Sequence, residues 1–288
     1  MANVVNTNMM SINAQRNLYK TDSMMQNAME RLSSGLRVNS AKDDAAGLSI
    51  ATRMDSQVRG MNVAIRNAND GISLAQTAEG AIGNVTDMLQ RMRELGVQAM
   101  NATNSAENRV DLNKEFSSLQ KEVDRILQTT QFNGMKILDG SATNMKFHVD
   151  ANVGANTGIS VAIKDLNGTN LSAGGIKSTL NAASVRLASG SAGTAAMASA
   201  AITSIDKAIK NLNGIRADLG AAQNRFSSTI SNLQSSVENQ SAAKSRIMDA
   251  DFATETANLS RAQILQQSGV AMLSQANQAP QGVLGLLR

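Results

Sequence analysis

Apolar side chains near the start of this chain recur at the spacing of a helix that packs in a coiled coil. From residue 18 the offsets between successive apolar residues are 7, 4, 3 and 4, which is the heptad pattern of a coiled-coil seam. We therefore predict a first helix whose seam is formed by Leu18, Met25, Met29, Leu32 and Leu36.

A second and longer repeat of three- and four-residue steps runs from Ala51 to Met92 with one slip. A helix of about 50 residues would be about 75 Å long, which is longer than a globular domain is wide. Six glycines lie between residues 47 and 96, and each costs a helix up to about 1 kcal/mol relative to alanine. Such glycines indicate close packing against a neighbouring helix. A third helix is predicted over Leu112–Ile126 from the same spacing.

The middle of the chain changes to the two-residue period of β-strands. The stretch "QFNGMKILDG", residues 131–140, contains Asn-Gly and Asp-Gly turn signals. Beyond it, two runs of alternating apolar residues flank the loop "DANVGANTG" and predict a β-hairpin; these residues are Met145, Phe147, Val149, Ile159, Val161 and Ile163. Residues 166–194 are rich in Gly, Ser, Ala and Asn and predict an exposed, loosely structured insert.

Helical spacing returns at about residue 195 and continues almost to the C-terminus. A second seam of alternating three- and four-residue steps includes Ala262, Leu265, Met272, Ala276 and Leu286. Long helices at both ends of the chain and a small β centre predict a mainly α fold. We expect a long antiparallel helical coiled-coil rod in which N- and C-terminal segments pair, with a small β-hairpin region in the middle.

This arrangement predicts three parts. Residues 1–40 with 251–288 are expected to form a terminal coiled-coil domain. Residues 41–165 with 195–250 are expected to form a helical rod domain that includes the β part. Residues 166–194 are the short variable surface insert.

Composition narrows the function. Aromatic residues are 2% of the chain, whereas there are 16 methionines, so small and flexible side chains must fill the seams between helices. The absence of cysteine excludes disulfides, thiolate catalysis and cysteine-based metal sites. The net charge of +4 is dispersed and provides no basic stripe for nucleic acid. No stretch approaches the roughly 20 apolar residues of a membrane span. The N-terminus lacks the features of a cleavable secretory signal, so export would need another route.

The C-terminal segment is unusually poor in charge. Residues 253–288 contain only Glu255, Arg261 and Arg288 as charged groups, although an exposed helix normally carries charge on its outer face. Such a helix is expected to be enclosed by copies of itself, and both termini are expected to become ordered only on assembly. Subunits that contact one another head-to-tail without closing a ring form a helical filament.

Candidate chemical sites have simpler structural interpretations. His148 is the only histidine and lies on the polar side of the alternation, which is typical of a solvent-facing strand residue. The pairs of charges around Asp43 and Glu94 fit solvated helix faces or helix ends. Asn167 begins a glycosylation sequon, but that motif is short and commonly unused. We therefore assign no catalytic residue, no cofactor and no metal, and an enzyme is the least favoured class.

Small residues and aspartates between residues 32 and 54 indicate a joint between two helices. Ser40 and Asp43 match the S/T-x-x-D/E pattern, in which Ser40 would accept a hydrogen bond from the Asp43 N–H. Asp43 and Asp44 would then lie in the first turn of the next helix, where the helix dipole favours negative charge. The stretch is thus predicted to stop one helix and start another.

Several stretches also carry a family resemblance. "RLSSGLRVNSAKDDAAGLSIATRM" and "NANDGISLAQTAEGAI" closely resemble the N-terminal region of bacterial flagellins. "IRADLGAAQNRFSSTISNL", "SRIMDADFATETANLSRAQILQQSG" and "ANQAPQGVLGLLR" resemble the C-terminal region, and "TQFNGMKIL" is similar to the turn between the helical and β parts. The resemblance covers about residues 1–140 and 200–288. The departure is the centre, because many flagellins carry extra outer domains where this chain has only residues 141–194.

The resemblance implies a subunit that polymerises with itself into the extracellular flagellar filament used for swimming. It implies export through the central channel of the flagellum, assembly beneath a cap protein, and contact with hook–filament junction proteins. It also implies an export-chaperone site within roughly residues 250–288. Some flagellins are detected by a host innate immune receptor, and the residues that match that pattern here are Arg91, Leu95 and Glu122. In a filament that patch is expected to be buried.

Two other non-catalytic functions compete with this prediction. A hook–filament junction protein would share the terminal heptads, but should lack so complete a match across the 40s, the 220s and the 250s. A soluble coiled-coil signalling or adaptor protein would need charged outer faces at the C-terminus, which this sequence lacks, and would form a stable helical dimer instead of a polymer. The filament subunit is therefore the leading hypothesis.

Overall fold

The fold consists mainly of helices in the part of the chain that the structure describes. The structure is a computed structural model that describes residues 7–154, 157–166, 186–188 and 194–285. The helices in these ranges are α1 (Met9–Ser34), α2 (Ala45–Met100), α3 (Ala106–Thr129), α4 (Ala195–Met248) and α5 (Phe252–Gly285). The strands are β1 (Gln131–Phe132), β2 (Met135–Lys136), β3 (Met145–His148) and β4 (Gly158–Val161). The predicted fold class is confirmed.

The chain forms two compact units, and the long helices α2 and α4 contribute residues to both. Unit 1 comprises Met1–Val58 and Glu238–Arg288, and unit 2 comprises Arg59–Val237. Within unit 1, α1 and α5 pack against each other in antiparallel fashion. The Asn8 amide donates to the Ala276 carbonyl at 2.7 Å, and the Gln266 amide donates to the Asp22 carboxylate at 3.0 Å. The predicted pairing of the terminal segments is therefore confirmed.

Local capping sets the ends of α1. The Asn8 side chain accepts from the Ser11 N–H at the N-terminus. At the C-terminus Gly35 has a φ of 71°, which a glycine adopts without steric cost, and its N–H bonds to the Arg31 carbonyl at 2.9 Å. Leu36 lies beyond this stop, so the prediction that the helical seam extends to Leu36 is wrong.

The core of unit 2 is formed where α2, α3 and α4 pack with the hairpin β3–β4. Its helical residues follow the predicted three- and four-residue steps, with Ile82, Val85, Leu89 and Met92 of α2 fully buried. Phe226 of α4 is fully buried, and its ring meets that of Phe147 edge-to-face with centroids 5.6 Å apart. Few aromatic residues are available, so alanines and medium-sized apolar side chains fill most of the remaining volume.

Both β-hairpins are antiparallel and follow the predicted turns. Asn133 and Gly134 connect β1 to β2 with φ values of 49° and 77°, as a two-residue hairpin with left-handed central residues requires. In the second hairpin, Met145 pairs with Val161 and Phe147 pairs with Ile159, so the predicted apolar faces coincide. His148 is exposed, as predicted for the polar face.

The insert predicted over residues 166–194 is not wholly exposed. Leu166 and Leu187 are fully buried and Ala188 is 3% exposed. The Leu187 N–H also donates to the Asn113 side chain of α3 at 3.0 Å. The prediction of an exposed insert is therefore wrong at these positions, where apolar side chains join the core of unit 2. Residues 167–185 and 189–193 lie outside the described residues.

Candidate functional site

The face on which α1 and α5 meet is lined by small and polar residues. The buried residues of α1 are Ser11, Thr21 and Ala28, and those of α5 include Glu255, Ala262 and Ala276. Thr21 and Ala28 are seven residues apart, as are Glu255 and Ala262, which is the heptad period. We call this face the terminal seam. Its small side chains let the two helices approach closely.

The structure divides the predicted seam residues into two groups. Ala262 and Ala276 are buried in the terminal seam, and Leu18, Met25 and Leu32 are half-buried. Met29, Leu265 and Met272 are instead 47%, 43% and 63% exposed. Met29 lies one position after the buried Ala28, and Leu265 and Met272 lie one position before the half-buried Gln266 and Leu273. These three residues therefore sit at the edge of the contact between α1 and α5. Leu286 lies outside the described residues.

An apolar groove runs beside the terminal seam. It has a volume of about 720 Å³ and is lined by Met10, Ala14 and Leu18 of α1 and by Leu265, Gly269 and Met272 of α5, among other residues. Further large apolar side chains are exposed on the same two helices, namely Met9, Ile12, Tyr19, Met24, Ile264 and Val270. An apolar groove of this kind on a folded chain indicates a binding surface.

Glu255 is the buried carboxylate of the terminal seam, with only 8% of its surface exposed. It lines a cavity of about 260 Å³ together with the basic residues Arg31 and Arg261. Asn27 and Asn258 add polar groups to the same cavity. In the sequence, Glu255 is one of very few charged residues near the C-terminus. Its position seven residues before Ala262 could have predicted that it is buried, but this spacing was not used.

The predicted helix-start joint exists, but its hydrogen bonds differ from those predicted. Helix α2 begins at Ala45, and Asp44 caps it by accepting from the Gly47 N–H at 2.8 Å. Asp43 lies in the preceding turn, where its carboxylate accepts from the backbone N–H and the hydroxyl of Ser40, both at 2.9 Å. These bonds, chiefly that from the Ser40 N–H, lower the pKa of Asp43.

The prediction that Ser40 accepts from the Asp43 N–H through its side chain is thus wrong. The Asp43 N–H bonds to the backbone carbonyl of Ser40 at 3.1 Å. The prediction that Asp43 and Asp44 lie in the first turn is also wrong, because α2 starts after both of them. Asp43 closes the turn and Asp44 caps the helix.

Arg37 joins the segment after α1 to the end of α4. Its guanidinium donates to the carbonyls of Ile247 at 2.7 Å and Arg246 at 3.2 Å, and its backbone N–H bonds to the Met248 carbonyl at 2.6 Å. An isolated β-bridge between Leu36 and Asp249 extends this contact. Arg37 therefore places a positive charge on the otherwise unpaired carbonyls of a helix C-terminus. We call this contact the Arg37 clamp.

Asp251 caps the N-terminus of α5, just after the break between α4 and α5. Its carboxylate accepts from the Thr254 hydroxyl at 2.7 Å and from the Ala253 N–H at 3.0 Å. These hydrogen bonds, with the Thr254 hydroxyl first, lower the pKa of Asp251. The sequence reasoning missed both the Arg37 clamp and this cap. The Asp-Ala-Asp run before a helical pattern was a signal for the cap, whereas nothing local signals the clamp.

A charged surface on α2 and α3 of unit 2 carries the residues predicted to contact an immune receptor. Arg91 pairs with Glu94 and with Glu115, each at 3.0 Å, and Glu122 pairs with Arg125 at 2.6 Å. The carboxylates raise the pKa of Arg91, and Arg125 lowers the pKa of Glu122. Glu115 and Glu122 are two turns apart on α3, or about 10 Å.

Leu95 differs from these neighbours because its side chain is only 1% exposed and belongs to the core of unit 2. It therefore presents no side-chain surface to a partner, and its assignment as a direct contact is wrong for this structure.

The described residues contain no group of three or more His, Asp or Glu side chains that could hold a metal ion. Among the helices of that same part of the chain, none is long and apolar enough to cross a membrane. What these surfaces offer is apolar contact, hydrogen bonding and exposed charge.

Comparison with known proteins points to one family. The chain matches the family model of the bacterial flagellin N-terminal helical region over residues 5–143 and that of the C-terminal helical region over residues 202–287. It is 46% identical to a flagellin of Halalkalibacterium halodurans over 99% of this chain and 100% of that protein. It is 43% identical to the flagellar filament 33 kDa core protein of Treponema phagedenis, with the same coverage. The crystal structure of Bacillus cereus flagellin aligns with 62% of this chain and 94% of its own, at 29% identity and a TM-score of 0.46.

Proposed function

This chain belongs to the bacterial flagellin family and is a structural subunit of the extracellular flagellar filament, not an enzyme; from this premise we propose that its terminal helices carry the contacts of the inner filament core. The proposal assigns residues 1–40 with 251–288 to that core. It assigns residues 41–165 with 195–250 to a helical rod domain that includes the small β part, and the buried Leu166 and Leu187 join the core of that domain. The observation that supports it is the apolar groove beside the terminal seam.

The chemistry of the groove favours another copy of the chain as its occupant. Met10 and Met272 line the groove and are 64% and 63% exposed. In a polymer, both would bury this apolar surface against a neighbouring subunit. Each square ångström of apolar surface removed from water contributes about 25 cal/mol. Flexible methionine side chains adapt to the neighbouring surface that they meet. A subunit that repeats such a contact head-to-tail extends a filament.

The test compares two exposed methionines that are changed in the same way. Met272→Lys places a charge in the groove, whereas Met135→Lys changes a methionine of β2 that is 50% exposed and lies outside it. After seeding or salting-out, electron microscopy should show long filaments for Met135→Lys and few or none for Met272→Lys. Filaments of normal length and yield from Met272→Lys would refute the role of the groove.

A deletion tests the division of the chain. Removal of residues 253–288 should abolish assembly and leave the helices of unit 2 folded, because that unit has its own apolar core. Far-UV circular dichroism and a cooperative thermal transition would report the retained helices. Loss of all helicity on deletion would contradict the proposed division.

The family also supports a route out of the cell and partners along it. We propose that the chain is secreted through the channel of the flagellum and assembles beneath a cap protein, next to hook–filament junction proteins. An export chaperone would bind residues 250–288, where α5 exposes Ile264, Val270 and Met272. Calorimetric titration of the chaperone should detect binding to the full chain and none to a chain that ends at residue 252. Equal binding to both would place the chaperone site elsewhere.

The charged surface on α2 and α3 supports recognition of the monomer by a host immune receptor. The proposal rests on Arg91 and Glu122, since Leu95 is buried. Arg91→Ala should reduce receptor activation about ten-fold, a typical loss for an arginine at the centre of an interface. Arg93→Ala is the matched control, because Arg93 is an exposed arginine of the same helix that pairs with Asp206 at 2.8 Å. Equal losses from the two variants would refute the assignment.

The alternatives are not favoured. A hook–filament junction protein is the nearest related function, but the chain matches flagellins over its full length. A secreted coiled-coil adaptor would stop at a discrete dimer. Light scattering and electron microscopy of seeded protein would separate that outcome from a growing polymer.

A further inference from the structure

The turn between β1 and β2 contains an asparagine–glycine pair that is exposed to solvent and, among the residues that the structure describes, lacks hydrogen bonds at two of its polar groups. Asn133 and Gly134 are both exposed and both have positive φ values. Within the described part of the chain, neither the Asn133 side chain nor the Gly134 N–H has a hydrogen-bond partner. A side-chain carbon added at Gly134 would meet no atom within 4 Å, so the space around the turn is open.

An exposed Asn-Gly pair without these hydrogen bonds is open to a reaction between its two neighbouring groups. The backbone nitrogen of Gly134, after it loses its proton, can attack the side-chain carbonyl carbon of Asn133. A new C–N bond closes a five-membered succinimide ring, and the amide nitrogen leaves as ammonia after protonation. Water then opens the ring at either carbonyl and yields aspartate or isoaspartate. The reaction needs water and hydroxide alone, and glycine favours it because no Cβ hinders the attacking nitrogen.

The same chain contains an internal comparison for this reaction. Asn213 and Gly214 form the same dipeptide and are also exposed, but they lie inside α4 (Ala195–Met248). There the helix occupies the Gly214 N–H with a hydrogen bond to the carbonyl four residues before it. Attack on Asn213 would require α4 to open locally, and such opening is unfavourable in the middle of a long packed helix.

The turn at Asn133 opens more readily. Strands β1 and β2 contain two residues each and pair only with each other, and so short a hairpin is marginally stable by itself. We propose that Asn133 is a site of spontaneous deamidation, at which each folded subunit slowly converts an asparagine amide to a carboxylate. The modified chain gains one negative charge, and the isoaspartate product has one extra backbone carbon in the turn.

The modification would alter the turn as well as its charge. Asparagine adopts the left-handed conformation at position 133 more readily than most residues do, because its short polar side chain tolerates it. The longer isoaspartate backbone cannot reproduce the two-residue geometry that pairs Phe132 with Met135. This inference is independent of the proposed inner-core contacts, since β1 and β2 lie in unit 2.

The test measures both asparagines in one sample. The full-length folded chain is incubated at mildly alkaline pH, and peptide mass spectrometry follows the replacement of NH₂ by OH at Asn133 and Asn213. Deamidation at Asn133 should be at least about ten-fold faster, which reflects the protection of a helical N–H. An isoaspartate-specific methyltransferase should label the Asn133 peptide. Equal slow rates at the two sites would overturn the proposal.

A denatured sample and a variant complete the test. In concentrated urea the two rates should converge, because the helix no longer protects Asn213. If Asn213 stays slow in urea, the neighbouring residues and not the fold cause the difference, and the structural argument fails. Asn133→Gln should abolish the methyltransferase label in that peptide, since glutamine forms the corresponding ring far less readily. The peptide that contains Asn167 and Gly168 is quantified separately.

Discussion

Gly71 of α2 faces the ring of Phe226 so closely that an alanine there should destabilise unit 2. A Cβ at Gly71 would lie 2.6 Å from Phe226 Cζ and within 3.0 Å of two further ring carbons. The ring has no free direction to move in, because Phe226 is fully buried and packs against Phe147. The substitution Gly71→Ala must therefore shift α2, α4 or the ring itself.

Two opposing terms set the expected magnitude. Alanine in place of glycine within a helix contributes about 1 kcal/mol of stability. Overpacking a well-packed core costs about 1–3 kcal/mol, and contacts with three ring carbons place this site near the upper end. We expect Gly71→Ala to lower the free energy of unfolding by about 2 kcal/mol. Gly80→Ala is the control, because a Cβ at Gly80 meets nothing within 4 Å. It should raise that free energy by about 0.5–1 kcal/mol.

The assay is urea unfolding of the monomeric chain, followed by far-UV circular dichroism. A third variant, Phe226→Leu, removes the end of the ring that Gly71→Ala would strike. Combined with Gly71→Ala, it should recover about 1–2 kcal/mol relative to the sum of the single effects. The reasoning is refuted if Gly71→Ala stabilises the protein as Gly80→Ala does. It is also refuted if the double variant shows no coupling between the two positions.

Three further predictions concern other contacts. Arg37→Ala should destabilise unit 1 by about 1 kcal/mol through the loss of charged hydrogen bonds at a helix C-terminus, with a lower melting temperature, while Arg37→Lys loses less. Leu187→Ala should cost about 2–4 kcal/mol in urea unfolding, as for other fully buried leucines; an effect below 0.5 kcal/mol would contradict its burial. Because hydrogen bonds lower the pKa of Asp251 from its ordinary value of 3.8, its stabilising contribution is complete above that value and is lost as the pH falls through the lower folded pKa. Asp251→Asn should flatten this part of the acid melting profile.

Local turn chemistry shows how far sequence reasoning can reach. Asn133 and Gly134 were predicted to turn, and they do, because few other residue pairs adopt two successive left-handed conformations. The long helix over residues 51–92 and the pairing of the two ends likewise followed from apolar spacing. The information for the turn lies in two neighbouring residues, and that for the helices lies in the spacing of apolar residues along each segment.

The joint near residue 40 shows where that reasoning weakens. A Ser-x-x-Asp pattern fits either residue as the acceptor, and only the folded backbone shows that the Asp43 carboxylate accepts while Asp44 caps α2. The Arg37 clamp connects residues about 210 positions apart, so no local pattern could indicate it.

The sequence by itself determined the element types, the family and the class of function, because spacing and composition are properties of neighbouring residues. Tertiary structure decided which face of each helix is covered. It buried Leu95 and Leu187, left Met29, Leu265 and Met272 exposed, and placed Glu255 in the terminal seam. A heptad read from one helix is uncertain by one position, since apolar residues on both sides of the true seam satisfy the same spacing. Only the partner helix selects between them, through the space that its own side chains leave.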